Sequence, residues 1–347
     1  MSARKRVVVI EGEDAAPEAV RPTLGLVDRL GLPIEWVHPA VEDHEATRHA
    51  IDASDTTLFG ATSGRSAAAL FHLRWGKATY ANVRPARWFP GCRSPLARPD
   101  GIDLVIVREN LEDLYVGVEG DLAALRPLGL VSPMAGRPVA DLGPGRFALK
   151  VITEAGSERV IRFAFELARR RKAAGRPGKV TCAAKYNMLP GTDGLFREVA
   201  RRVAAGYPDV ALETFIVDDF ARRLVATPHQ LDVVVLPNLY GDILSDAAAG
   251  VIGGLGLAPS GCYGDGYAYF ESAHGSAPDI AGKGVINPTA TILSAAMMLD
   301  YLGFDAAGRL LEAAVERVYA DGRHLTPDQG GSGTTLEFSD AVARYLS

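Results

Sequence analysis

Two aspartates in the segment Asn238-Leu-Tyr-Gly-Asp-Ile-Leu-Ser-Asp246 have the type and spacing to share a cation. The segment follows an apolar run, Asp232-Val-Val-Val-Leu-Pro237, that reads as a buried strand, and it opens an Ala- and Gly-rich stretch that reads as a helix. On a helix, Asp242 and Asp246 lie on one face about 6 Å apart along the axis, so their carboxylates can converge on one hard divalent cation. Acidic pairs at this spacing are also common, and the helix dipole alone favours an aspartate near an N-terminus. Taken alone, the pair is either half of a metal site or an ordinary helix start.

The elements that must position such a site need a large core. A chain of 347 residues that is 48% hydrophobic can bury one, and its length suggests two domains. The 37 glycines and 21 prolines fit an enzyme with many tight connections better than a bundle or a disordered chain. A net charge of −5 gives no reason to expect a nucleic-acid partner or an acidic membrane surface. The basic cluster Arg169-Arg-Arg-Lys172 ends an amphipathic pattern beginning near Ser157, where cations complement a helix C-terminus. Cys92, Cys182 and Cys262 are widely separated and in no Cys-x-x-Cys arrangement, which argues against disulfides and zinc and makes a reducing cytoplasm the expected compartment. The apolar run before Glu11 is too short for a signal sequence, and no stretch approaches the roughly 20 apolar residues of a membrane span.

Buried-strand patterns at Arg6 to Ile10, Thr57 to Phe59, Ile102 to Val107, Lys179 to Ala184 and Asp232 to Leu236 alternate with helical patterns. An α/β protein with largely parallel pairing, in two sheets, is expected. Arg93 to Asp100 and Gly136 to Arg146 read as loops or a protruding element. A Rossmann dinucleotide site is not expected. The first strand is followed by Gly12-Glu-Asp-Ala-Ala-Pro-Glu18, and Gly253-Gly-Leu-Gly256 lacks both the fingerprint spacing and a preceding strand.

Further segments change the reading of the acidic pair. Tyr80-Ala-Asn-Val-Arg84-Pro, Val107-Arg108-Glu-Asn-Leu-Glu-Asp-Leu-Tyr115, Lys185-Tyr-Asn187, Gly241 to Asp246 and His274 to Asn287 occur in this order. Together they resemble the metal-dependent β-decarboxylating dehydrogenases, the family of isocitrate, homoisocitrate, 3-isopropylmalate and tartrate dehydrogenases, over nearly the whole chain. The resemblance implies oxidation of the 2-hydroxyl of a 3-substituted malate by hydride transfer, then loss of the 3-carboxylate. It makes Asp242 and Asp246 ligands of Mg2+ or Mn2+, with Asp218 rather than Asp219 as a third. Negative charge develops on the C2 oxygen at both stages, which is where a divalent Lewis acid is needed. By the same resemblance Arg74, Arg84 and Arg108 hold the substrate carboxylates. Lys185 takes the hydroxyl proton, and Tyr115 protonates the carbon left by carbon dioxide.

The loop His274-Gly275-Ser276-Ala277-Pro278-Asp279-Ile280, with Asn287, resembles the family's adenosine-binding loop. Glu271 precedes it, and Asn187 is expected near the nicotinamide. NAD users carry Asp where this chain has Asp279, and NADP users carry Lys, so NAD is the expected cofactor. The resemblance further implies a homodimer of two-domain subunits. Residues 1–80 with 253–347 would form a large cofactor-binding domain, and 81–252 a small domain with the metal site and dimer interface. Asp218, Lys185 and Asn187 would then serve the neighbouring subunit's site, with a helical pair, Asp218 to Val225 and Tyr240 to Gly250, in the interface.

Two departures from the family pattern stand out. The usual Gly-Asp-Gly-Ile-Gly-Pro-Glu is Gly12-Glu-Asp-Ala-Ala-Pro-Glu18, which removes two glycines beside the cofactor and restricts the backbone at Ala15 and Ala16. The loop that reads the 3-substituent, Thr62 to His72, is short. Leu70 and Phe71 resemble the apolar pair of isopropylmalate enzymes, yet Arg65, Ser66 and His72 offer anion-binding groups if the loop folds differently. The candidates are therefore an alkyl-substituted malate or an isocitrate analogue, for example one bearing a phosphonate. A catalytically silent regulatory subunit of the same fold is a further alternative. Such subunits tend to lose metal or acid/base residues, all of which are present here.

Overall fold

Residues 4–346 are described by the computed structural model. Its strands are β1 (Lys5–Ile10), β2 (Ile34–Val37), β3 (Thr56–Phe59), β4 (Ala81–Arg87), β5 (Asp103–Glu109), β6 (Glu119–Asp121) and β7 (Val131–Ser132). They continue as β8 (Arg137–Pro138), β9 (Arg146–Ala148), β10 (Lys179–Ala184), β11 (Ala211–Ile216), β12 (Val233–Leu236), β13 (Pro259–Tyr263) and β14 (Ala268–Ser272). Ten of these form one sheet in the order β11-β10-β12-β5-β4-β13-β14-β3-β1-β2.

The two expected sheets are thus one. Antiparallel pairing of β13 with β4, Gly261 opposite Val83 and Tyr263 opposite Ala81, joins a half built from residues 81–236 to a half built from β1 to β3, β13 and β14. These linking strands escape sequence reading because Arg84-Pro85 and Gly261 break the apolar run that marks a buried strand. Elsewhere pairing is mostly parallel, and the central strands are buried on both faces, which is why they read as unbroken apolar runs. Alternate side chains go to different cores. Leu104, Ile106, Val234 and Leu236 pack with the helices Asn238–Ile252, Thr289–Tyr301 and Asp305–Asp321. Val105, Val107, Val233 and Val235 pack against Glu154–Ala173 and Thr192–Ala204.

The expected loop around Gly136 to Arg146 belongs to two short antiparallel ribbons, β6 with β9 and β7 with β8. They expose Leu128, Leu130, Val131 and Met134. The basic cluster is structural: Arg171 pairs with Asp103 and Asp232, and Arg169 with Asp209. All three cysteines are free and buried. Among the described residues, no helix is long and apolar enough to cross a membrane.

Candidate active site

Four adjacent parallel strands deliver the polar residues at or just past their carboxyl ends. Arg108 is the penultimate residue of β5, Lys185 follows β10, Asp218 follows β11 and Asn238 follows β12. Open α/β sheets gather ligands at this edge because the chain turns away there and leaves side chains and helix N-termini unpaired. Helix Asn238–Ile252 must approach β5 closely, and Gly241 makes this possible: a Cβ there would lie 2.7 Å from the Arg108 side chain.

Arg108 is the centre of the cluster and only 3% exposed. Its Nε donates to Asn238 Oδ1 at 2.8 Å, and its guanidinium forms an ion pair with Asp242. Burial lowers its pKa to about 10, with the positive charges of Arg74 and Arg84 adding to the effect and Asp242 opposing it. Arg84, on β4, reaches Ser245 Oγ at 2.8 Å, Asp246 at 3.1 Å and Asp242 at 3.6 Å. Arg74 donates to the carbonyl of Asn110 at 2.7 Å and to Asn238 Oδ1 at 3.3 Å. The Tyr115 hydroxyl donates to Asp242 Oδ2 at 2.5 Å, and its ring lies under the guanidinium carbons of Arg108 and Arg74 at 5.1 and 5.2 Å. Burial, then the bond to Asp242, raise the Tyr115 pKa. Three arginines, two aspartates and a tyrosine therefore converge.

Glu271, near the end of β14, faces this cluster. Burial raises its pKa, and the charges of Arg84, Arg74 and Arg108 partly offset that. Its expected place beside the cofactor loop is thus also a place within the field of the arginines.

Lys185 and Asp218 lie elsewhere. They form an ion pair with each other, and neither bonds to the arginine cluster; Asn187 is exposed beside them. Asp219 is taken by Arg222 and Arg223 of its own helix, so Asp218 is the acid that faces Lys185. Among the described residues, no three His, Cys, Asp or Glu side chains converge within one chain. The donors that Asp242 and Asp246 present are carboxylate oxygens without sulfur or imidazole, a set that fits Mg2+ or Mn2+.

The pocket beside Arg74 and Tyr115 has a volume of about 580 Å³ and is walled by Leu70, Phe71, Trp75, Leu114 and Leu239. Phe71 and Trp75 stack at 5.1 Å, and the Arg74 guanidinium lies 4.7 Å over the Trp75 ring. Trp75 is a wall residue that the sequence motifs do not carry; its exposure and its stacking on Phe71 emerge only from how the loop folds. The three anion-binding groups of the loop are spent elsewhere: His72 on Asp52 at 2.9 Å, Arg65 on Glu42 at 3.6 Å, and Ser66 on Glu13. Glu119 also lines this pocket.

The loop His274–Ile280 borders a second pocket of about 430 Å³, lined by Leu255, Ala277, Ile280, Ile286 and Asn287. His274 Nε2 is buried there without a partner, and burial lowers the ring's pKa. A flat heteroaromatic base with one polar edge fits these walls. Asn287 is less available than expected, because its amide already bonds Tyr319, Asp328 and the Thr289 amide. Asp279 is exposed, with Lys283 bonded to its carbonyl oxygen at 2.7 Å. Ser276 O accepts from Ala15 N, and Glu18 binds the Gly282 and Gly284 amides, so the altered N-terminal motif does support this loop. Ala15 sits at φ −83°, where alanine is unstrained; positive φ falls on Gly12 and Asp14 instead.

Residues 33–342 match the family model described as isocitrate/isopropylmalate dehydrogenase. The chain belongs to that family. It is 44% identical over 352 residues to a 3-isopropylmalate/3-methylmalate dehydrogenase of Methanocaldococcus jannaschii, covering 98% of each. It is 43% identical over 358 residues to an isocitrate/homoisocitrate dehydrogenase of Thermus thermophilus, again covering 98% of each. The structure of isocitrate dehydrogenase from Methylococcus capsulatus superposes with a TM-score of 0.84 at 37% identity, covering 99% of both chains. Membership places the arginine and aspartate cluster in a family of β-decarboxylating dehydrogenases, and the relatives' names divide over the acid acted on.

Proposed function

We propose that this protein is an NAD-dependent oxidative decarboxylase of a malate carrying an apolar 3-substituent. The observation that carries the substrate reading is the pocket beside Arg74: its walls are largely Leu70, Phe71, Trp75, Leu114 and Leu239, and the charged residues that line it are Arg74, assigned here to a malate carboxylate, and Glu119, which has the sign of the substrate. A distal carboxylate or phosphonate would lose its hydration there without gaining a cation beyond Arg74, which a malate carboxylate takes, because Arg65 and His72 are paired elsewhere.

Arg74, Arg84 and Arg108 hold the two malate carboxylates, exchanging their present bonds to Asn238, Asp242 and Asp246 for bonds to substrate. Asp242, Asp246 and the partner subunit's Asp218 would hold a divalent cation, which when bound would supply Lewis-acid polarisation at the C2 oxygen, and NAD would supply the hydride acceptor. Lys185 removes the hydroxyl proton. The C3–carboxylate bond then breaks, its electron pair forming the enolate as carbon dioxide leaves. Tyr115 returns a proton to C3. The pairing of Lys185 with Asp218 apart from the arginines supports a site completed by a second copy of the chain, each subunit giving Lys185, Asn187 and Asp218 to its neighbour. The two halves of the sheet act as domains, 1–80 with 253–347 and 81–252, around this cleft. His274 to Ile280 and Asn287 hold the adenosine, and Asp279 selects NAD.

Initial rates of NADH formation across 3-methyl-, 3-isopropyl- and 3-benzylmalate, isocitrate and a phosphonomethyl analogue, with Mg2+ or Mn2+, test this. Apolar substrates are expected to exceed anionic ones by roughly 100-fold in kcat/KM, about 2.7 kcal/mol. Trp75→Ala should reduce kcat/KM for the bulkier apolar substrates more than for 3-methylmalate. A preference for isocitrate or the phosphonate overturns the assignment.

A further inference from the structure

Lys150 carries a largely enclosed ammonium, 15% exposed, that none of these roles uses. It lies just before helix Glu154–Ala173, and its Nζ sits 3.2 Å from Asp113 Oδ1 and 3.0 Å from Asp193 Oδ2. The Tyr240 hydroxyl is at 3.4 Å, with the ring centre at 4.5 Å. Both aspartates are wholly buried, so one cation balances two carboxylates that have no water to replace it.

Each carboxylate also holds a backbone amide at a working part of the site. Asp113 accepts from Leu114 N at 2.9 Å and from Leu239 N at 3.0 Å, and it stands two residues before Tyr115. Its own backbone has φ +68°, a conformation that a non-glycine residue keeps only when its surroundings fix it. Asp193 accepts from the amide of Lys185 at 3.0 Å and so fixes the point where that side chain leaves β10. A single ammonium therefore ties the turn carrying Tyr115, the start of the helix carrying Asp242, and the strand end carrying Lys185.

We propose that Lys150 is a positioning residue that couples the two active sites of the dimer. This rests on the shared-site reading above: within one chain, Tyr115 serves that chain's own site while Lys185 serves the partner's. Replacing Lys150 frees two buried carboxylates, and the disturbance reaches the acid of one site and the base of the other. The arginines keep their bonds to Asn238, Asp242 and Asp246, so the loss falls on turnover more than on substrate binding.

Tagged heterodimers of wild-type and Lys150→Gln subunits test the coupling. The Lys150→Gln homodimer should lose at least tenfold in both hydride transfer and enolate protonation under single turnover, with KM changed less than threefold. The wild-type/Lys150→Gln heterodimer should fall well below half of wild-type activity, because both its sites are damaged. A wild-type/Arg84→Ala heterodimer, damaged at one site, should keep about half. Hydrogen exchange without substrate should show the Leu239 and Lys185 amides opening faster in Lys150→Gln. If that variant does not fold, Lys150→Arg serves, since a guanidinium does not fit between carboxylates set for an ammonium. It should remain slowed at least threefold in both phases, and wild-type rates would overturn the proposal. Half activity in the Lys150→Gln heterodimer overturns the coupling alone. Failure of Lys185→Ala and Asp242→Asn subunits to rebuild activity in a mixed dimer overturns the shared site, and the coupling with it.

Discussion

Replacing Glu13 with glutamine probes how the altered N-terminal motif supports the loop that leads to Leu70 and Phe71. The Glu13 carboxylate is 8% exposed. It accepts from Thr62 Oγ1 at 2.7 Å, Ser63 N at 2.6 Å, Gly64 N at 3.0 Å and Ser66 N at 2.9 Å, and from the Ser66 hydroxyl. Burial pushes its pKa up. The bonds from Ser66, Thr62 and Ser63 more than reverse this, lowering it from 4.5 to about 2. That difference, at about 1.36 kcal/mol per pH unit, makes the ionised form worth about 3 kcal/mol of stability. A count of bonds agrees: glutamine turns an amide NH2 toward donors and forfeits roughly two hydrogen bonds to a charged group, at about 1.5 to 3 kcal/mol each. Because the folded pKa lies below the unfolded one, the contribution is complete above about pH 4.5 and is lost as the pH falls toward 2. Urea unfolding at 25 °C should therefore show wild type and Glu13→Gln about 3 kcal/mol apart at pH 6 to 8, and less than half that near pH 3. A difference that stays constant from pH 7 to pH 3 would refute the reasoning.

Three other perturbations follow from the site. Asp279→Lys should weaken NAD by at least tenfold and improve NADP, about 1.5 to 3 kcal/mol for each ribose bond lost; equal wild-type efficiency with both cofactors rules out the selector role. In single turnover, Lys185→Met should abolish hydride transfer, whereas Tyr115→Phe should still form NADH and stall before the final keto acid. Simultaneous appearance of both products at the wild-type rate removes Tyr115 from the chemistry. Lys185→Ala and Asp242→Asn should each be nearly inactive and should regain activity when unfolded, mixed and refolded together, one intact site forming in each mixed dimer.

The strands that lie wholly inside the sheet were legible because burial on both faces leaves an uninterrupted apolar run, as at Val233 to Leu236. The linking strands β4 and β13 were not, since Arg84, Pro85 and Gly261 serve the cleft and the close approach of neighbours at the cost of that pattern. The ordered motifs carry Arg84, Arg108, Tyr115, Asp242 and Asp246, the family resemblance adds Arg74, and the structure gathers these six. The role of Trp75 and the diversion of Arg65, Ser66 and His72 to Glu42, Glu13 and Asp52 depend on how a short loop folds against distant helices. No spacing rule encodes those contacts. Lys150 was equally silent: a lone lysine before a helix looks solvated until the two aspartates that enclose it are placed.

The central claim is that this arrangement oxidises and decarboxylates a malate with an apolar 3-substituent. Carbon dioxide and NADH released from 3-isopropylmalate, measured in the same reaction with Mg2+ and again after chelation, test it most directly. One carbon dioxide is expected for each NADH, both abolished by the chelator. NADH without carbon dioxide, or turnover that survives chelation, would contradict it.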